Sequence, residues 1–308
     1  MDEVEAPLAD GQNRSAMDGL FSALQQGRAG LAAKADALID DLLGEQGRAR
    51  IAALQGPHEG PDPFGFDPRV ARYAAVAARA ICQGYFRSEV FGVENVPAGR
   101  VMLISNHSGQ LPLDGLAIGT ALLFDAERPR FVRSMVEKWT ATLPFVSTFF
   151  PRVGQIVGVP ENCIRLLEAD EAVLVFPEGA RGIAKTFEHR YKLTDFGLGF
   201  MRIALAARAP IVPTAVIGAE EQYISIANFE RLGKLLGMPA LPILPQLLLP
   251  GGFLPLPTRY RVHFGQPLWF EGDPDDEDSV IEEKVAVVRS TIQSMVNRGL
   301  KTRTGIFT

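Results

Sequence analysis

VMLISNHSGQLPLD, running from Val101 to Asp114, opens as an apolar run and turns abruptly polar at Asn106. A short run of this kind, bounded by turn residues, fits a strand buried on both faces. The segment from Asp114 to Phe124 that follows reads as a helix. In open parallel sheets, ligands collect just beyond the carboxyl ends of strands, and His107 sits at such an end. An imidazole with an unperturbed pKa near ~6.5 can take a proton from a hydroxyl at neutral pH. A nearby carboxylate, Asp114, would hold the other ring nitrogen as N–H and stabilise the imidazolium. Structural readings stand beside these roles. Asp114 would make a good N-cap for the helix it opens, and His107 could satisfy a backbone carbonyl.

The same pattern recurs downstream. AVLVF, Ala172 to Phe176, is a second buried strand, and it runs into FPEGARG, Phe176 to Gly182. Gly179 and Gly182 allow close backbone approach. Arg181 offers a planar fork suited to phosphate or carboxylate, with Lys185, Arg190 and Lys192 shortly after. Such local basicity in an acidic chain points to an anion site, against the alternative of a surface loop with solvated charges. IVPTAVIG, from Ile211, is a third strand with no assigned function; Pro213 argues for a sheet edge or an irregularity.

Around these three strands the chain alternates. Short extended runs are expected at Val90 to Val93, Phe131 to Met135, Gln155 to Gly158 and Arg259 to Phe264. Helices are expected at Pro68 to about Gly84, Trp139 to Phe150, Glu161 to Ala169, Phe196 to Arg208 and Ser279 to about Arg298. Strands alternating with helices predict an α/β fold, a mostly parallel sheet flanked by helices. An N-terminal helical segment from about Met17 to Leu54 precedes it, and the turn-rich GPHEGPDPFGFDP, Gly56 to Pro68, reads as a linker. The expected organisation is thus residues 1–67 as helical segment and linker, and 68–308 as the main domain.

The 308 residues carry a net charge of −5, with 47% hydrophobic and 22% charged side chains. That balance supports a sizeable core and gives no electrostatic case for nucleic-acid binding. Cys82 and Cys163 are too far apart for a metal-ligand pattern and read as buried free thiols, which suits a reducing compartment. No cofactor motif or metal-ligand cluster is visible in the sequence. The acidic start MDEVEAPLAD lacks the design of a signal peptide. The uncharged run from Leu235 to Thr258 contains Pro239, Pro242, Pro245, Pro250, Pro255 and Pro257, too many for a spanning helix. It reads as an insertion whose leucines contact a membrane surface. The expected location is therefore cytoplasmic and peripheral on the membrane.

Taken in order, the blocks resemble the phospholipid/glycerol acyltransferase family, the lysophosphatidic acid acyltransferase-like group, over about Phe86 to Pro267. Asn106-His107 through Asp114 is similar to its His-and-Asp catalytic block. Phe176-Pro177-Glu178-Gly179 with Arg181 is similar to its acceptor-phosphate block, and Ile211-Val212-Pro213 to a later structural block. Gly154 and Gln155 fall where its second block lies and match it poorly. One departure is the spacing: the family usually places four residues between His and Asp, whereas six, Ser108 to Leu113, intervene here. The proline-rich late segment resembles branches near diacylglycerol and phytyl-ester acyltransferases. The resemblance implies acyl-CoA or acyl carrier protein as donor and a glycerolipid-type acceptor such as a lysophospholipid. It also implies His107 as general base oriented by Asp114, with Glu178, Gly179, Arg181 and Lys192 at the acceptor. Asn106 or Gly179 would donate to the oxyanion. Two other classes are weighed against this. One is a lipid-binding protein of the same fold that has lost turnover, suggested by the altered spacing. The other is a serine hydrolase, for which no G-x-S-x-G elbow is present.

Overall fold

Nine strands are present among the described residues: β1 (Glu89–Phe91), β2 (Val101–Ser105), β3 (Val132–Val136), β4 (Gln155–Val157), β5 (Ala172–Val175), β6 (Ile211–Ile217), β7 (Ala227–Phe229), β8 (Leu241–Ile243) and β9 (Arg261–Phe264). The computed structural model describes residues 30, 33–34, 36–37, 39–52, 61–107, 110–229, 233 and 241–308. Seven strands form one sheet in the order β1-β9-β6-β2-β5-β3-β4, and β7 pairs with β8 apart from it. Every pairing in the large sheet is parallel except β6 with β9. This is the α/β, mostly parallel architecture expected from the sequence.

The apolar runs hide a period of two. Met102 and Ile104 of β2 enter one core; Val101 and Leu103 enter the other. In β5, Val173 faces the first core while Ala172 and Leu174 face the second. Alternation of Cβ direction is imposed by the pleat even when every residue is apolar. The helices divide accordingly. α1 (Pro68–Arg79), a π-helical turn at Ala80–Tyr85 and α2 (Leu113–Phe124) lie on the side of the second core. A short helix, α3 (Val146–Arg152), follows β3, and α4 (Pro160–Glu168) follows β4. A single turn, α5 (Ala180–Ile183), follows β5. α6 (Gly199–Ala207) and the closing α7 (Asp278–Thr302) contribute Met201, Ile281, Val288 and Ile292 to the first core.

One local expectation is corrected and another is resolved. Pro213, read as marking an edge or an irregularity, marks the second: β6 lies between β2 and β9, and the pairing shifts by one residue between Thr214↔Phe264 and Ile211↔Leu268. The Pro213 carbonyl accepts from Gly265 at 2.8 Å, so its nitrogen faces the same way, just past the point where the β9 ladder stops. Trp139 to Phe150 is not one helix. A 3₁₀ turn at Lys138–Thr142 ends at Leu143, which is extended ahead of Pro144, and α3 starts afresh after Phe145 at φ +64°. Proline disfavours the helical region for the residue before it. In the late insertion short regular pieces form between the prolines, Leu241–Ile243 as β8 and Pro245–Leu248 as a 3₁₀ turn.

The chain divides into two units, Met1–Ala49 and Arg50–Thr308. In the first, residues 39–49 are helical; the expected helix from Met17 lies largely outside the described residues. In the second, residues 61–67 of the expected linker are built in. Asp62 accepts the N–H groups of Phe64 and Phe66 at 2.8 and 2.9 Å and pairs with buried Arg133 at 2.8 Å. Within this unit both cysteines are buried and unpaired. Burial pushes the Cys82 thiol up to about 11 and the Cys163 thiol up to about 12. Both should therefore resist a thiol-disulfide reagent at pH ~8 in the folded protein and react fully once it is denatured, because the thiolate is the nucleophile. Timed reaction with a chromogenic disulfide checks this.

Candidate active site

β2 and β5 are neighbours with Ile104 opposite Val175. Three residues beyond that pair, His107 and Glu178 leave the sheet side by side. The His107 N–H donates to Glu178 Oε1 at 3.1 Å. Glu178 Oε2 accepts from the Thr194 N–H and hydroxyl at 2.8 and 3.0 Å, and Lys185 Nζ lies 3.4 Å away. Glu178 is thus consumed in holding the loop, and no part of it is left open to solvent-borne substrate.

His107 Nδ1 lies 2.8 Å from Asp114 Oδ2, and the Asp114 side chain has no solvent exposure. Despite the longer spacing in sequence, the carboxylate meets the ring. Asp114 is not the N-cap, which is Pro112. It sits within the first turn of α2, and its Oδ1 accepts the Gly115 N–H at 2.8 Å. A carboxylate only accepts, so Nδ1 carries the proton and Nε2 keeps its lone pair. The Phe176 ring stacks on the imidazole with centroids 4.1 Å apart, which fixes the ring plane. Gly182 makes the approach possible: a Cβ there would lie 2.9 Å from the His107 carbonyl oxygen and Cβ. From below, Gln222 Nε2 donates to the Leu111 carbonyl at 3.0 Å and anchors the returning loop.

The remaining expected residues fall around this pair. Gly179 adopts φ +56° at the start of α5. Its N–H donates to the Phe176 carbonyl at 3.0 Å, while the Asn106 amide exchanges hydrogen bonds with Val216 N and O at 2.8 and 3.0 Å. Both proposed oxyanion donors are therefore already engaged. Arg181 is exposed, and one arm of its guanidinium donates to the Asp195 carbonyl at 3.0 Å. Lys192 is also exposed, and only its backbone carbonyl meets the network, through Lys185 Nζ at 3.4 Å.

Several contributors escaped the sequence reading. Lys185 is the buried cation, bridging Glu178 and Glu220, the latter at 3.0 Å. Glu220 Oε2 also accepts the Tyr191 N–H at 2.7 Å. Glu137, just past β3, accepts the Ala180 N–H at 2.8 Å and the Trp139 indole N–H at 3.1 Å. Both acids follow the carboxyl end of a strand, the same signal that singled out His107 and Glu178.

A proton acceptor on an oriented imidazole, beside an exposed guanidinium, can activate a hydroxyl on an anionic molecule. Comparison with known proteins narrows that chemistry. The family model described as Acyltransferase matches residues 87–217, which bracket both loops. A protein of Mycobacterium leprae, described as uncharacterised, is 36% identical over 254 residues, covering 80% of this chain and 69% of its own. The chain belongs to the acyltransferase family. A further uncharacterised protein from Mycobacterium tuberculosis is 37% identical over 254 residues, covering 80% of this chain and 71% of its own. An enzyme of Gallus gallus described as a DGAT1/2-independent enzyme synthesizing storage lipids is 25% identical over 213 residues, 69% of this chain and 60% of its own. Among solved structures, the 1-acyl-sn-glycerophosphate acyltransferase PlsC of Thermotoga maritima aligns with a TM-score of 0.49 and 18% identity, over 76% of this chain and 83% of that one.

Two outcomes are expected for this acyltransferase. Asp114→Asn should lower turnover by about two to four orders of magnitude with little change in melting temperature, because the amide preserves shape but no longer fixes the tautomer. Unchanged turnover would assign Asp114 to structure alone. Separately, burial raises Glu220 to about 7, offset in part by Lys185. Between the unfolded carboxylate range and about 7 the folded state holds a proton that the unfolded state has released, so stability falls as pH rises through that window. Glu220→Gln should flatten this slope in urea-unfolding midpoints measured from pH ~5 to ~7.5.

Proposed function

We propose that the protein transfers a fatty acyl group from a thioester donor, acyl-CoA or acyl carrier protein, to a hydroxyl of a glycerolipid-type acceptor. The observation that carries this reading is the Nδ1–Oδ2 contact of 2.8 Å between His107 and Asp114 inside a match to the acyltransferase family. His107 Nε2 takes the acceptor's hydroxyl proton as the oxygen attacks the thioester carbonyl. The tetrahedral intermediate collapses with loss of the thiolate, which takes the proton from the imidazolium and leaves as thiol. An ester replaces a thioester, and no covalent acyl-enzyme is needed. Arg181, with most of its fork exposed, is the candidate for an acceptor phosphate, and Lys192 adds positive charge nearby. The reading of a lipid-binding protein without turnover drew on the longer His–Asp spacing alone, and that contact removes its support.

A lipid acceptor requires access to a bilayer. No helix among the described residues is long and apolar enough to cross a membrane. Residues 245–254 favour peripheral contact because their polarity is inverted. Gln246 is buried and holds Ile224 N at 2.9 Å, while Leu248 is 88% exposed and Leu247, Leu249, Phe253 and Leu254 are exposed beside it. A loop packed polar-side-in offers its apolar side to lipid.

Thioester release should be assayed with acyl-CoA across lysophospholipids, diacylglycerol and long-chain alcohols. His107→Ala should abolish release while donor binding persists. Arg181→Ala should raise KM for phosphate-bearing acceptors about ten- to hundredfold, as expected for a lost charged hydrogen bond, and leave neutral acceptors unchanged. Turnover by His107→Ala equal to that of the parent would refute the mechanism.

A further inference from the structure

Residues 138–152, KWTATLPFVSTFFPR, contain no acidic side chain and carry a cation at each end, in a chain whose net charge is −5. This segment fills no core. Phe145 is 87% exposed and Phe149 is exposed one turn further on, with exposed Lys138 and Arg152 flanking them. Phe145 adopts φ +64°, a conformation costly for any residue with a Cβ. The cost is not recovered by burial of the ring within the chain. The backbone strain turns an aromatic side chain outward.

Topology places this segment in a particular relation to the site. In the order β6-β2-β5-β3 all four strands run parallel, so their carboxyl ends open on one edge. His107 follows β2 and Glu178 follows β5, in the middle. The segment 138–152 follows β3 on one side. On the other, the residues after β6 hold the inverted loop: Ile224 and Gln222 meet Gln246, and the Tyr223 hydroxyl donates to the Phe253 carbonyl at 2.8 Å. Neighbouring strands lie about 4.8 Å apart, so β6 and β3 are separated by only three such spacings. Two apolar elements thus follow strands on either side of the His107 and Glu178 loops, at a single edge of the sheet.

We propose that Lys138–Arg152 is a second bilayer-contact element which, with residues 245–254, seats the protein so that the His107–Asp114 pair faces a lipid surface carrying anionic headgroups. The occupant is a bilayer because the two elements share an edge, each is uncharged between its ends, and Lys138 and Arg152 match headgroup phosphates. The proposal rests on the lipid-acceptor reading above for the direction in which the cleft faces, while its readout needs no turnover.

The full-length protein is sedimented with phosphatidylcholine vesicles, with and without phosphatidylglycerol. Phe145→Ser/Phe149→Ser should weaken partition about a hundredfold, in line with loss of two aromatic side chains from an apolar phase, and Leu247→Asp/Leu248→Asp/Leu249→Asp should weaken it at least as much. Lys138→Gln/Arg152→Gln should remove the preference for anionic vesicles. A second measurement avoids dependence on the folding of these variants. In a Trp269→Phe background, Trp139 is the sole tryptophan; vesicles should shift its emission to the blue, and brominated lipid should quench it. Undiminished partition by the folded Phe145/Phe149 variant, or binding without any Trp139 response, overturns the proposal. So does loss of self-association in that variant with vesicle binding intact, which would make the face an interface between copies. Vesicle partition without acyl transfer would sink the catalytic reading and leave this contact standing.

Discussion

The parallel pairing of β2 with β5 sets Ile104 against Val175, and the two strands end together on either side of the site. His107 and Glu178 each lie three residues beyond that pair, past the ends of β2 and β5, and the His107 N–H meets the Glu178 carboxylate. Everything nearer the substrate is referred to that meeting point. Gly182 lets α5 press against His107, and Phe176 lies over its ring. α2 returns Asp114 to Nδ1. A slip of one residue between these strands would turn every side chain to the opposite face and dismantle the site along with the core. Catalytic geometry and fold stability therefore share one determinant.

The cost of this arrangement lies in its buried charge. Glu178, Lys185 and Glu220 are taken out of water together. Each carboxylate is compensated by more than the lysine. Glu178 accepts three N–H or O–H donors, and Glu220 accepts the Tyr191 N–H. Removing one member of a buried network of this kind costs about 3–5 kcal/mol, because an unpaired charge remains. The neighbouring Glu221–Arg303 pair, bidentate at 2.6 and 2.8 Å, ties the end of the chain to the same region. The network gains little net stability, but it ties the stretch from Glu178 to Thr194 to the 3₁₀ turn at Ala219–Glu221.

Much of the fold was legible because buried strands are short apolar runs ending in abrupt polarity, and VMLIS, AVLVF and IVPTAVI all do so. The two loops of the site were legible for the same reason. The rest depended on partners distant in sequence. Pro213 left two readings open because a proline's missing donor is harmless at an edge or at an irregularity, and only β9 decides between them. Lys185 looked like one solvated cation among several; Glu220, thirty-five residues away, makes it a buried one. Asp114 left two readings open, a cap or the partner of His107, because local spacing cannot show which residues the folded chain brings together; the 2.8 Å contact with Nδ1 sets it beside the ring. Lys192, expected at the acceptor, is exposed.

Asn106 has a consequence of a different kind. Its amide stands in for a peptide unit, pairing with both N and O of Val216 after the β2 backbone has left the sheet. Without it, Val216 would need a water molecule at that position, directly beneath the histidine loop. With it, that position is filled by a fully buried side chain. Water is the competing nucleophile for any thioester, and a base that activates a hydroxyl activates water equally well. If the donor is a thioester, as proposed, this buried amide leaves water no partner at the Val216 peptide next to the histidine loop. Discrimination between transfer and wasteful hydrolysis would then be set partly by a side chain that never touches either substrate.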